Sequence, residues 1–159
     1  MPTTLQLLTL LTAFATAINA GVFFAFSNFI MAALARSPEP EATRAMQHIN
    51  ITVLNPGFFA FFFGAPLLCL GLLAAAWLTR PNDHLPLITA ACLLHTLACF
   101  LATIAFNVPL NERLAKLDAN APETQTHWRH YLTTWTRWNH LRTTASALAT
   151  LMLSYSLIG

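Results

Sequence analysis

Trp135-Thr136-Arg137-Trp138-Asn139-His140-Leu141-Arg142 packs two indoles, an amide, an imidazole and two guanidinium groups into eight residues. On a helix, Trp135, Trp138, Asn139 and Arg142 fall at i, i+3, i+4 and i+7 and so share one face. That face runs into an apolar segment of membrane-spanning length, about residues 138–158. A polar, aromatic cluster at the mouth of such a helix sets the reading of the whole chain: helical, embedded in a bilayer, with its chemistry at a helix end.

Composition agrees. Of 159 residues, 56% are hydrophobic and 9% charged, against ~25% charged in a typical soluble domain. The length suits one domain, residues 1–159. A net charge of +2, dispersed along the chain, excludes nucleic acid as the partner. Cys69, Cys92 and Cys99 all lie in apolar segments, which argues for reduced thiols rather than a disulfide framework.

Four apolar runs predict four membrane spans, at about 5–34, 51–78, 85–106 and 138–158. The first lacks a basic n-region and continues past Ala20, so it reads as a retained span and not a signal peptide. Thr9, Thr12, Thr16 and Asn19 form one polar stripe on it, suited to hydrogen bonding between helices or to lining a cavity. Ser37-Pro38-Glu39-Pro40-Glu41 breaks the chain before a short interfacial helix over 41–50. Phe58, Phe59, Phe61, Phe62 and Phe63 form a block suited to lipid or to a flat aromatic ligand, and lipid is the favoured reading. Thr79–His84 is a turn, and Asn107-Val108-Pro109-Leu110-Asn111 ends the third span. Trp128, Tyr131, Leu132, Trp135 and Trp138 mark a second amphipathic, interfacial helix before the fourth span. The fold expected is an all-α, antiparallel bundle of four transmembrane helices, with short amphipathic interfacial helices on one side.

Four spans put both termini on one side with Arg80. Arg36, Arg44, Arg113, Lys116, Arg129, Arg137 and Arg142 fall on the other. Seven against one places the long connections in the cytoplasm of an inner-membrane protein. Span order then gathers Asn28, Asn50, Asn55, Asn107, Asn111, Trp135, Trp138, Asn139, His140 and Arg142 at one membrane face. Asn at helix ends and Trp or Arg at an interface are also ordinary caps and anchors. The density of amides at one mouth is what favours a site.

These marks resemble the anthrone oxygenase-like family of small four-helix integral membrane proteins. They are Gly21 through Leu34 (GVFFAFSNFIMAAL), Met46-Gln47-His48-Ile49-Asn50 with Asn55-Pro56, Asn107 through Asn111, and Trp135 through Arg142. Met31-Ala32-Ala33-Leu34 departs from the proline that the family often has after the methionine. The resemblance implies the bundle. It also implies a membrane oxygenase or redox enzyme that oxidises a flat, lipophilic phenolic substrate, anthrone- or quinol-like, with O2 and no cofactor. Such chemistry needs a base and an oxyanion stabiliser. His140 is the candidate base, because imidazole accepts a proton near neutral pH. Asn139, Asn107 and Arg142 are the further catalytic candidates, as donors to an enolate oxygen. Trp135 and Trp138 would hold the ring, with Asn50, Asn55, Asn111 and Asn28 as further binding residues. His140 stands about 100° from Asn139 on an ideal helix, off the polar line that continues to Ser146.

The expected partners are a lipophilic aromatic molecule and the lipid bilayer, and self-association into a homo-oligomer is left open. No metal site is assigned: His127 and His130 lack a carboxylate or Cys at ligand spacing, and Cys92, His95 and Cys99 span too much of one helix to converge. Two other readings stand beside the oxygenase. One is a non-enzymatic bundle that binds a lipophilic ligand or partner, and the other is a haem- or metal-binding bundle that uses the histidines. An enclosed cavity at the mouth, with His140 and Asn139 pointing into it, is what would separate the oxygenase from the non-enzymatic bundle.

Overall fold

The computed structural model describes residues 1–79 and 83–158, and among these every regular element is helical. Helix α1 is Thr3–Leu34, α2 is Glu39–Thr52, α3 is Pro56–Leu78, α4 is Leu85–Ala115 and α5 is Pro122–Ile158. Three of them, α1, α3 and α4, are long and apolar enough to cross a membrane, which fits a membrane protein. Helix α5 is not among these, since Arg142, Thr143, Thr144, Ser146, Thr150, Ser154 and Ser156 dilute its apolar half.

The long helices pack α1 on α5, α1 on α3 and α4 on α5. Side-chain pairs fix the levels. Thr16 meets Thr150 at 2.8 Å and Ser27 meets Thr143 at 2.9 Å, so residue numbers rise along α1 as they fall along α5. The polar stripe of α1 is buried and serves packing: Thr9 and Thr12 donate to carbonyls of their own helix, and Asn19 donates to the Phe61 carbonyl. Leu5, Leu72, Ile88 and Leu153 close one end of the core, and Met31, Met46, Leu114, Trp128 and Trp135 close the other. Large apolar side chains also cover the outside, with Leu10, Phe14, Leu67, Leu70, Leu97 and Leu151 each more than half exposed. A bilayer satisfies such an exterior and water does not.

Helix ends depart from the apolar runs. The second run does not begin a helix at Ile51: α2 continues to Thr52, and α3 restarts at Pro56. Proline suits a first helical position, and Asn55 Oδ1 accepts the Phe58 N–H at 3.0 Å, so the pair sets a cap. Pro109 does not end α4 either. The helix widens into π turns over Thr96–Leu101 and Thr103–Asn107 and resumes as Val108–Ala115. Local π geometry is one way a helix absorbs a proline without breaking. Helix α1 has a π turn of its own at Phe26–Ile30. The expected turn over Thr79–His84 includes Arg80, Pro81 and Asn82, which lie outside the described residues.

Candidate active site

Helix α5 buries Trp135, Asn139, Arg142 and Ser146 on one face, the face expected from their spacing. Arg142 is 3% exposed, and among the described residues no carboxylate pairs with it. Its Nη2 donates to Asn139 Oδ1 at 2.7 Å, and Nη1 donates to Thr103 Oγ1 at 3.3 Å. The guanidinium carbon lies 4.2 Å from the Phe23 ring centre and 4.9 Å from the Trp135 ring. Cation–π contact of this kind holds a desolvated cation by about 2 kcal/mol, well short of neutralising it.

Asn139 is oriented by α1. Its Nδ2 donates to the Phe23 carbonyl at 2.8 Å and to Ser27 Oγ at 2.7 Å, where α1 enters its π turn. On α4, Asn107 Nδ2 donates to the Trp135 carbonyl at 3.2 Å. The π turns of α1 and α4 thus both meet α5 around Trp135–Arg142. Such turns concentrate at functional sites because they re-aim side chains that a regular helix would turn away.

A cavity of about 190 Å³ opens between these helices. Phe23, Phe26, Phe62 and Trp135 form aromatic walls, and Arg142 and Thr103 form a polar patch. Asn50 and Asn111 line it as well. The buried Tyr131 hydroxyl donates to Asn111 Oδ1 at 2.8 Å, with Asn50 Nδ2 3.5 Å from the same oxygen. Burial pushes the Tyr131 phenol above its ordinary pKa. Part of the rim is apolar and exposed, formed by Phe59, Phe63, Ile104 and Val108. Arg142 Nε and Trp135 Nε1 are buried with no hydrogen-bond partner, each a cost of about 1–3 kcal/mol that a bound polar group would offset.

The structure brings Arg142, Trp135, Asn50 and Asn111 to the cavity and leaves the other expected residues off it. Asn139 and Asn107 sit behind the wall and bind backbone or Arg142. His140 is exposed, its Nδ1 3.0 Å from Ser27 Oγ, as its offset from Asn139 implies. Trp138 stacks on Phe106 outside the cavity, ring centres 3.6 Å apart. Asn55 is spent on the α3 cap, donating also to the Thr52 and Val53 carbonyls, and Asn28 is exposed. Thr103, Phe23 and Met46 line the cavity without being among the expected site residues; Phe23 and Met46 lie in the stretches that carry the family resemblance. Thr103 could have been found four residues before Asn107, on the same face. The Phe58–Phe63 block divides, with Phe62 buried toward the cavity and Phe59 and Phe63 exposed at its rim. His95 is buried and lies 3.4 Å from Asn19, not beside a metal-binding set: among the described residues no three His, Cys, Asp or Glu side chains converge.

A family model described as anthrone oxygenase matches residues 58–152. No curated protein matches the chain, and no solved structure does. The matched region includes Phe62, Thr103, Asn111, Trp135 and Arg142 of the cavity, while Phe23 and Asn50 precede it.

Proposed function

The chain belongs to the anthrone oxygenase family, and from that premise we propose that it is a membrane oxygenase that oxidises a flat, lipophilic phenolic substrate, anthrone- or quinol-like, with O2. One observation carries this reading. Among the described residues Arg142 is a buried cation with no carboxylate partner, and it lines a cavity with aromatic walls. An arginine keeps its charge at any working pH. A buried charge left without a counter-ion is costly, which suits the site to an anion formed on the bound substrate.

The proposed chemistry starts with loss of a proton from the substrate carbon opposite its carbonyl. The resulting enolate oxygen faces Arg142, with the Thr103 hydroxyl beside it. A fixed cation in a dry site stabilises such an anion far more than water does. The proton passes to water at the polar side of the cavity, beside Asn50 and Asn111. The electron-rich carbon adds O2 to give a peroxide anion, which takes up a proton, and the resulting hydroperoxide eliminates water to leave a carbonyl. The carbon gains one oxygen atom and gives up two hydrogens, which leave with the second oxygen. The substrate supplies the electrons, so the reaction calls for no resident metal or flavin. Asn139, Asn107 and His140 act as positioning groups: Asn139 aims Arg142, Asn107 ties α5 to α4, and His140 reaches Asn139 through Ser27.

The volume of about 190 Å³ is below the roughly 300–1,000 Å³ of drug-sized sites. The cavity therefore encloses the reacting end of a ring system, and the remainder lies along the apolar rim at Phe59, Phe63 and Ile104. The same proposal includes the membrane arrangement. The chain crosses four times as an antiparallel bundle, with the second half of α5 as the fourth crossing. The cavity then lies toward the cytoplasmic face of an inner membrane, as the seven-to-one distribution of Lys and Arg supports.

The test is oxygen uptake by detergent-purified protein with a panel of anthrones and hydroquinones. Wild type takes up oxygen, and Arg142→Met lowers the rate at least about hundredfold, the usual scale for removing an oxyanion-stabilising group. If wild type is inert toward the whole panel while still binding a flat ring compound, the chain is a ligand-binding bundle and not an oxygenase.

A further inference from the structure

A second concavity, of about 260 Å³, lies between the end of α4 and the start of α5. Its floor is apolar, made by Leu110, Leu114, Leu117 and Tyr131. Its rim is basic, made by the exposed side chains of Arg113, Lys116, His127 and His130. No carboxylate lines it. Among the described residues the single ion pair joins Arg129 to Glu39, so neither Arg113 nor Lys116 has an acid within 4.0 Å. The neighbouring acids Glu112 and Asp118 are exposed, and His127 faces the Glu123 backbone carbonyl at 3.1 Å rather than its carboxylate.

An apolar floor beneath a cationic rim complements one amphiphile in particular. The glycerol and first methylenes of a phospholipid cover the floor, and an anionic headgroup meets the rim. The level is right as well. Helix α4 has 31 residues and is ~46 Å long at 1.5 Å per residue, against a hydrocarbon core of ~30 Å. With Leu85 at one boundary, its last turns reach the headgroup layer, and the cleft is built on them. We infer that this cleft is a binding site for the phosphodiester headgroup of an anionic membrane phospholipid. The site is separate from the reaction cavity but shares a wall with it: Tyr131 floors the cleft, and its hydroxyl holds Asn111 of the cavity. The inference rests on the membrane reading and not on the oxygenase chemistry.

The experiment is native mass spectrometry of the purified full chain from mixed micelles. One arm carries phosphatidylglycerol, a second phosphatidylcholine and a third inorganic phosphate without added anionic lipid. Wild type retains one phosphatidylglycerol in preference to phosphatidylcholine. A cationic side chain near the headgroup is worth about fivefold, so Arg113→Gln with Lys116→Gln weakens retention about 25-fold. Arg36→Gln, a charge change outside the cleft, leaves retention at the wild-type level. All three side chains are exposed, and an unchanged unfolding midpoint verifies that the variants fold. Equal retention of the two lipids overturns the inference, as does wild-type retention by the double variant. Retention of inorganic phosphate in the third arm, lost in the double variant, also overturns it, since the cleft would then be a general anion site.

Discussion

Arg142 and Asn139 stand one turn apart on α5, and the Asn139 amide accepts from Nη2 at 2.7 Å while its own N–H groups reach across to α1. The pair converts a long, flexible cation into a fixed one. A neutral amide does this without cancelling the charge, as a carboxylate would.

Asn139→Asp tests that distinction. The substitution keeps an acceptor for Arg142 but supplies a counter-ion and removes the donor to Phe23 and Ser27. Oxygen uptake falls by about the same hundredfold as for Arg142→Met. Near-normal turnover in this variant would show that the uncompensated charge is not what the site uses.

Asn139→Ala separates stability from charge. It leaves one guanidinium donor of Arg142 without its partner in a buried setting, at a cost of about 1–3 kcal/mol, and removes one of two donors to the Phe23 carbonyl, which keeps the Phe26 N–H. The midpoint of thermal unfolding in detergent falls, with a larger change than for His140→Ala on the exposed side of the same helix.

His140→Ala is expected to change oxygen uptake by less than about threefold. Its imidazole reaches the cavity through Ser27 and Asn139 and does not line it. A loss as large as that of Arg142→Met would restore it as the base.

Tyr131 makes high-pH stability informative. Its phenol is raised by burial, so the folded state holds the proton after the unfolded chain has released it near pH 10. The unfolded state then binds fewer protons, and stability, complete below about pH 10, is lost as pH rises beyond it. Thermal unfolding followed from pH 8 to 11 should fall more steeply above pH 10 for wild type than for Tyr131→Phe. Parallel curves would remove Tyr131 from the account.

Much of this was legible in the sequence, for identifiable reasons. Helical spacing put Trp135, Trp138, Asn139 and Arg142 on one face, with the polar line continuing to Ser146; Trp135, Asn139, Arg142 and Ser146 are buried there, while Trp138 is half-buried against Phe106. The 100° offset of His140 counted against it, yet its imidazole chemistry kept it as the candidate base, and it is exposed and off the cavity. What spacing could not reveal was a change of helical period. Periodicity arguments assume 3.6 residues per turn, and the π turns at Phe26–Ile30 and Thr96–Asn107 break that assumption beside the cavity. Those of α4 carry the helix through Pro109, where the proline alone predicted an end. Asn55 failed as a site residue for a different reason, because Asn before Pro-Gly is equally what a helix cap requires.

The exposed rim of the cavity has a kinetic consequence. Phe59, Phe63 and Ile104 face outward, where an embedded chain meets acyl chains, so the solution from which a substrate binds is the lipid itself. The concentration that governs binding is then the substrate's mole fraction in the membrane, not its amount per litre. Adding inert lipid at constant total substrate should slow turnover as surely as removing substrate, and more greasy substrates should gain apparent affinity without making a single new contact.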